Sequence, residues 1–120
     1  MTQEELSERL WDFALRIGKV VDALPETRLG RHVAGQLVRC GTSPAPNYDE
    51  ACALSPPESG VNKLAIVLKE LKESRGWLRF IIKAKLLPAQ KMVELEDEAT
   101  QLSNIIAKSI VTTKENQGID

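Results

Sequence analysis

The sequence predicts an all-α protein, an up-and-down antiparallel four-helix bundle with a proline kink in the second helix. Three observations carry that prediction. Apolar residues recur at three- and four-residue steps in four stretches, and none alternates with the period of two that a strand requires. Prolines and short polar runs separate the stretches. Aromatics make up only 4% of a chain rich in Ala, Leu, Glu and Lys, a balance that favours helices over sheets. At 120 residues and 42% hydrophobic content the chain can bury a core of its own, so it reads as one domain over 1–111 with a polar, frayed tail at 112–120.

The first helix opens after Thr2, with Glu4 and Glu5 complementing the positive end of its dipole. Leu6, Leu10, Phe13, Ile17, Val20 or Val21, and Leu24 form its apolar stripe, and Pro25 ends it. The second starts near Glu26–Thr27 and runs through Leu29, Val33, Leu37 and Val38 to about Cys40. Pro44 and Pro46 cannot both lie in a regular helix interior, because each removes an amide donor and crowds the preceding turn. A kink or break is expected there, with helix resuming over 47–54. Ser55, Pro56 and Pro57 read as a linker, and Pro57 or Glu58 opens the third helix. After Pro88, Met92, Leu95, Ala99, Leu102, Ile105 or Ile106, and Ile110 define the fourth.

The third helix is the unusual one. Leu64, Leu68, Leu71, Leu78, Ile82 and Leu86 fall on one stripe at about 100° per residue. Ile66, Trp77, Phe80 and Ile81 make a second apolar face, expected to meet another subunit, since an exposed patch of that kind is a liability on a monomer. Lys69, Lys72, Arg79 and Lys83 fall within an arc of about 80° between the two. Charge is unevenly spread: residues 58–87 hold seven basic and three acidic groups, a net +4, in a chain whose net charge is −1. Such a stripe can track a phosphate backbone, or be merely a solvated face.

A second polar constellation gathers around the prolines. Arg75 projects on the leucine stripe, where a charge must be paired or reach outward, and Glu50 is its expected carboxylate, with Asn47 one turn before. With Arg39 and Ser43 these residues read as a buried polar network, either a register-fixing device or a polar site within the bundle. No catalytic or metal-binding spacing is visible: His32 is the lone histidine, and Cys40 and Cys52 form neither a disulfide framework nor a metal motif with it. No cofactor is expected. With neither a basic-then-apolar leader nor an apolar run of about 18 residues, the chain reads as soluble and cytoplasmic, away from membranes.

The stretch QLVRCGTSPAPNYDEA resembles the Gln-x-x-Arg-small-small-x-Ser-x-x-x-Asn-x-x-Glu-small signature of the bacterial four-helix-bundle proteins, also called large-subunit ribosomal RNA intervening-sequence proteins. The matching positions are Gln36, Arg39, Cys40, Gly41, Ser43, Asn47, Glu50 and Ala51. LWDFALRIGKVVDALPE and KLAIVLKELKESRGWLRFIIKAKLL resemble the family's first and third helices, so the likeness spans roughly 5–110. Departures are Pro44 in place of an aliphatic residue, Tyr48 and Asp49 within the Asn-x-x-Glu span, and Ala51 in place of glycine. The resemblance implies a bundle that assembles as a homopentamer, similar to the nucleic-acid-binding accessory protein of diversity-generating retroelements, and it implies no defined enzymatic activity. The expected role is therefore a non-enzymatic, homo-oligomeric nucleic-acid-binding or accessory scaffold that contacts RNA or DNA through Lys69, Lys72, Arg79 and Lys83, with Arg28 and Arg31 as further candidates. The alternative is a protein–protein adaptor ring with an unidentified protein partner and no nucleic-acid contact.

Overall fold

The computed structural model describes residues 1–54, 57–116 and 118, excluding the side chains of 57–59. Five helices follow one another: α1 (Gln3–Ala23), α2 (Arg28–Thr42), α3 (Pro44–Ala53), α4 (Pro57–Lys83) and α5 (Ala89–Asn116). α2 and α3 together make one rod of an up-and-down four-rod bundle measuring 49 × 24 × 21 Å, with α4 between α2–α3 and α5.

Local chemistry starts the first two helices where the sequence indicates. The Thr2 hydroxyl accepts from the Glu5 amide at 3.0 Å, and the Thr27 hydroxyl accepts from the Gly30 amide at 3.0 Å. The second rod divides at Ser43 alone, narrower than the expected interruption. Ser43 keeps right-handed helical dihedrals (φ −74°, ψ −36°), and Pro44 occupies the first turn of α3, where a missing amide is least costly. Asn47 braces the junction, its side-chain amide donating at 2.9 Å to both the carbonyl and the hydroxyl of Ser43. The expected linker at Ser55 and Pro56 lies outside the described residues.

The core runs the length of the bundle. Leu10, Phe13 and Ile17 from α1, Val33 and Leu37 from α2, and Leu102 and Ile106 from α5 are fully enclosed, each worth about 1.5–3 kcal/mol relative to exposure. On α4 the buried seam is Leu64, Val67, Leu71, Ser74, Leu78 and Ile81, so the leucine stripe read from the sequence is displaced by nearly one residue width. Leu68, Ile82 and Leu86 are only half-buried, packed on the core's flank. Ser74 hid the true seam: a serine at its centre breaks the apolar pattern, yet it is buried because its hydroxyl donates to the Glu70 carbonyl at 2.8 Å. Leu29 and Val38, expected along the apolar run of the second helix, are exposed.

α5 is longer than expected, continuing through 112–116 rather than fraying there. Hydroxyl groups at Ser109 and Thr113 bond back to the carbonyls of Ile105 and Ser109 at 3.0 and 2.7 Å, and so compete little with the helix ladder. Residues 117, 119 and 120 lie outside the described set. Among the described residues no helix is long and apolar enough to cross a membrane.

Candidate nucleic-acid interface

α4 is flanked on two sides, and the flanks decide which of its side chains remain free. Lys63, Glu70, Glu73 and Trp77 face α2–α3: Lys63 meets Glu50 at 2.8 Å, Glu70 and Glu73 both bind Arg39, and Trp77 packs against His32. Arg79 faces α5, where its Nε pairs with Glu96 at 2.8 Å. The face left over carries Lys69, Lys72 and Lys83, all exposed. None of those three lysines has a carboxylate within ion-pair distance among the described residues. Of the four cations expected to form the stripe, three are therefore free and Arg79 is engaged.

The expected buried network is not assembled. Arg75 lies on the α5 side of α4, one turn before Arg79, whereas Glu50 is exposed and lies on the α2–α3 side with Lys63. Two carboxylate- and cation-bearing flanks separated by the leucine seam cannot pair. Arg75 is half-buried, and its Nε has no hydrogen-bond partner among the described residues. Arg39 points outward and ties α2 to α4 through Glu70 at 3.0 Å and through Glu73. Ser43 and Asn47 serve the helix junction. The signature residues thus do local, structural work at separate places along the second rod.

The second apolar face also needs correction. Ile81 is wholly enclosed in the subunit's own core and offers nothing to a partner. The seam passes through it because it lies three residues beyond Leu78 and seven beyond Ser74. Trp77 is half-buried, in edge-to-face contact with His32 at 5.8 Å and with Phe80 at 5.6 Å between ring centroids. Only Ile66 (41% exposed) and Phe80 (39% exposed) project substantially into solvent from that face.

Sequence reasoning missed two inter-rod clamps. Arg9 holds Glu98 of α5 through Nε at 3.1 Å and Nη2 at 2.6 Å, and that hydrogen bonding holds the guanidinium above its ordinary value. Asp49 of α3 accepts from Ser7 at 2.6 Å and from the Trp11 indole at 2.9 Å. Partners this distant in sequence leave no spacing to read. Cys40 is buried, its thiol donates to the Leu37 carbonyl at 3.7 Å, and that burial is the main cause that pushes the thiol up. Cys52 is exposed. No group of His, Cys, Asp and Glu among the described residues is arranged to hold a metal ion.

A family model described as 23S rRNA-intervening sequence protein matches residues 4–108. A crystal structure of a protein with unknown function from the S23 ribosomal protein family of Bacteroides thetaiotaomicron is similar, with a TM-score of 0.82 and 25% identity. The match covers 88% of this chain and 97% of that one. No curated protein matches the chain.

Proposed function

We propose, for a chain that belongs to the 23S rRNA-intervening sequence protein family, a non-enzymatic role as an oligomeric nucleic-acid-binding or accessory scaffold. The observation that carries this reading is the free face of α4, where Lys69, Lys72 and Lys83 stand exposed without carboxylate partners among the described residues. Three like charges along one rod repel each other unless a polyanion or counterions neutralise them, and release of counterions from a phosphate backbone supplies binding energy. The family's description, which names an intervening sequence of 23S ribosomal RNA, supports RNA as the first nucleic acid to try.

Assembly is proposed through the long sides of the rods, with Ile66 and Phe80 as the apolar contacts and Trp77 supporting Phe80 from beneath. A ring of five follows from the family resemblance, and each added subunit would repeat the basic face and raise avidity. The competing reading, a protein–protein adaptor, is favoured by a separate observation: Trp11 and Leu15, one turn apart on α1, are 43% and 69% exposed.

Fluorescence anisotropy of the protein with labelled RNA and DNA at several salt concentrations tests the proposal. Binding that weakens steeply with salt, and is lost on charge reversal at Lys69, Lys72 and Lys83 while the oligomer persists, is the expected outcome. Absence of binding at low salt would leave the adaptor reading.

A further inference from the structure

Positive charge on this molecule is concentrated at one end as well as along α4. The contacts of His32 with Trp77 and of Arg79 with Glu96 fix the levels of the rods. They bring the start of α2, the end of α4 and the start of α5 to the same pole. Arg28 and Arg31 of α2, Lys83 and Lys85 at the end of α4, and Lys91 of α5 all lie there, and all are exposed. None of the five has a carboxylate within ion-pair distance among the described residues; the Arg31 guanidinium donates instead to the Glu26 carbonyl at 3.0 Å. The carboxylates of this end are Asp22, Glu26 and Glu94, with Glu96 already occupied by Arg79. At the opposite pole Glu4, Glu5, Glu8 and Asp49 gather where α1 starts and α3 ends. Lys108, Lys114 and Glu115 of α5 lie there too, and Lys63 is taken by Glu50.

The turn after α4 adds an independent observation. Lys85 has φ +56°, in the left-handed region that favours glycine. Its amide donates to Ile82 at 3.1 Å and the Leu86 amide to Ile81 at 3.0 Å, the paired bonds of a Schellman helix end whose left-handed position glycine fills best. A lysine occupies this left-handed position despite its conformational preference, and it is exposed at the pole.

We propose that this pole, through Arg28, Arg31, Lys83, Lys85 and Lys91, is the principal phosphate-contacting surface, and that its ligand is a nucleic-acid backbone. The inference rests on the nucleic-acid reading above and extends the contact from the free face of α4 to its end, with Lys83 common to both. Side-by-side association about a rotation axis sets every basic pole on one rim. A strand laid across that rim meets several subunits at once, and the effective concentration of each further contact is high.

The test compares two charge-matched pairs in the full-length protein by anisotropy with labelled RNA of mixed sequence. Lys85→Gly with Lys91→Gln removes two charges from the pole, and Lys69→Gln with Lys72→Gln removes two from mid-rod. The pole pair is expected to lose about tenfold in affinity at low salt and to flatten the salt slope by about two, while the mid-rod pair, on the flank of the same basic surface, loses about threefold. Glycine suits the left-handed position, so Lys85→Gly alone should melt at a higher temperature than the parent even as it binds RNA more weakly. That opposition separates a ligand contact from a structural one. Equal losses in the two pairs, or a larger loss in the mid-rod pair, overturn the pole assignment and leave the nucleic-acid reading standing. A parent protein that does not bind RNA or DNA overturns both. Poly-glutamate that binds the pole as tightly as RNA would assign it to an acidic polypeptide and overturn the choice of ligand.

Discussion

Gly41 of α2 lies so close to Ile17 of α1 that a Cβ added to it would stand 2.6 Å from the isoleucine Cγ2. The two helices can approach this closely, just before the second rod divides at Ser43, only because that position has no side chain. Both residues are buried.

Gly41→Ala should therefore destabilise by about 1–3 kcal/mol through overpacking, although glycine-to-alanine changes inside helices ordinarily help. Gly35 and Gly76 serve as controls: an added Cβ meets nothing within 4 Å at either. Alanine at those two positions should gain roughly 0.5–1 kcal/mol. Urea unfolding of the three variants checks the opposite signs.

Removing Glu50 should do little. Among the described residues its only ion pair is with Lys63, and its side chain is 58% exposed. Glu50→Ala is expected to change stability by less than about 0.5 kcal/mol, whereas a carboxylate buried against Arg75 would have cost several. Glu98→Ala, which breaks the two-pronged contact with Arg9, should cost about 1 kcal/mol. A loss at Glu50 larger than at Glu98 would contradict this ranking.

Alkali should weaken the fold. Burial is the main cause that pushes up both the Cys40 thiol and the Tyr48 phenol, whose ordinary values are 9.0 and 10.0. Above those values the unfolded chain sheds protons that the folded one retains, so the unfolded state binds fewer protons and stability falls as pH rises. The urea midpoint should be insensitive to these two groups below about pH 9 and decline from there upward. Tyr48→Phe should flatten the part of the decline above about pH 10. A midpoint that rises with pH in this window would refute the assignment.

Assembly should depend on Ile66 and Phe80 rather than on Ile81. Ile66→Ser with Phe80→Ser is expected to reduce the mass measured by light scattering while leaving a helical, cooperatively melting subunit. Ile81→Ala should instead cost about 2–5 kcal/mol, because it opens a cavity in a wholly enclosed core position. Loss of assembly without loss of stability at Ile81 would return that residue to the surface.

Fold class and helix starts were legible in the sequence because their causes are local. Thr2 and Thr27 cap their own helices, Pro25 and Pro44 stop or divide them, and the stripes of the first and last helices each have one partner-facing side. Family membership was legible too: the spacing of Gln36, Arg39, Gly41, Ser43, Asn47 and Glu50 resembles the family's signature whatever those residues contact, and the family model matches residues 4–108. What only the tertiary structure decided is how α4 is turned between its neighbours. Its apolar residues fit two stripes separated by less than one residue width, and a buried serine sits in the true one. That rotation sends Ile81 inward, puts Arg75 on the opposite flank from Glu50, spends Arg79 on Glu96 and leaves Lys69, Lys72 and Lys83 free. Helical periodicity fixes which residues share a face, but the packing of the two neighbouring rods against that helix fixes which face is covered, and that is a property of the assembled core rather than of any one segment.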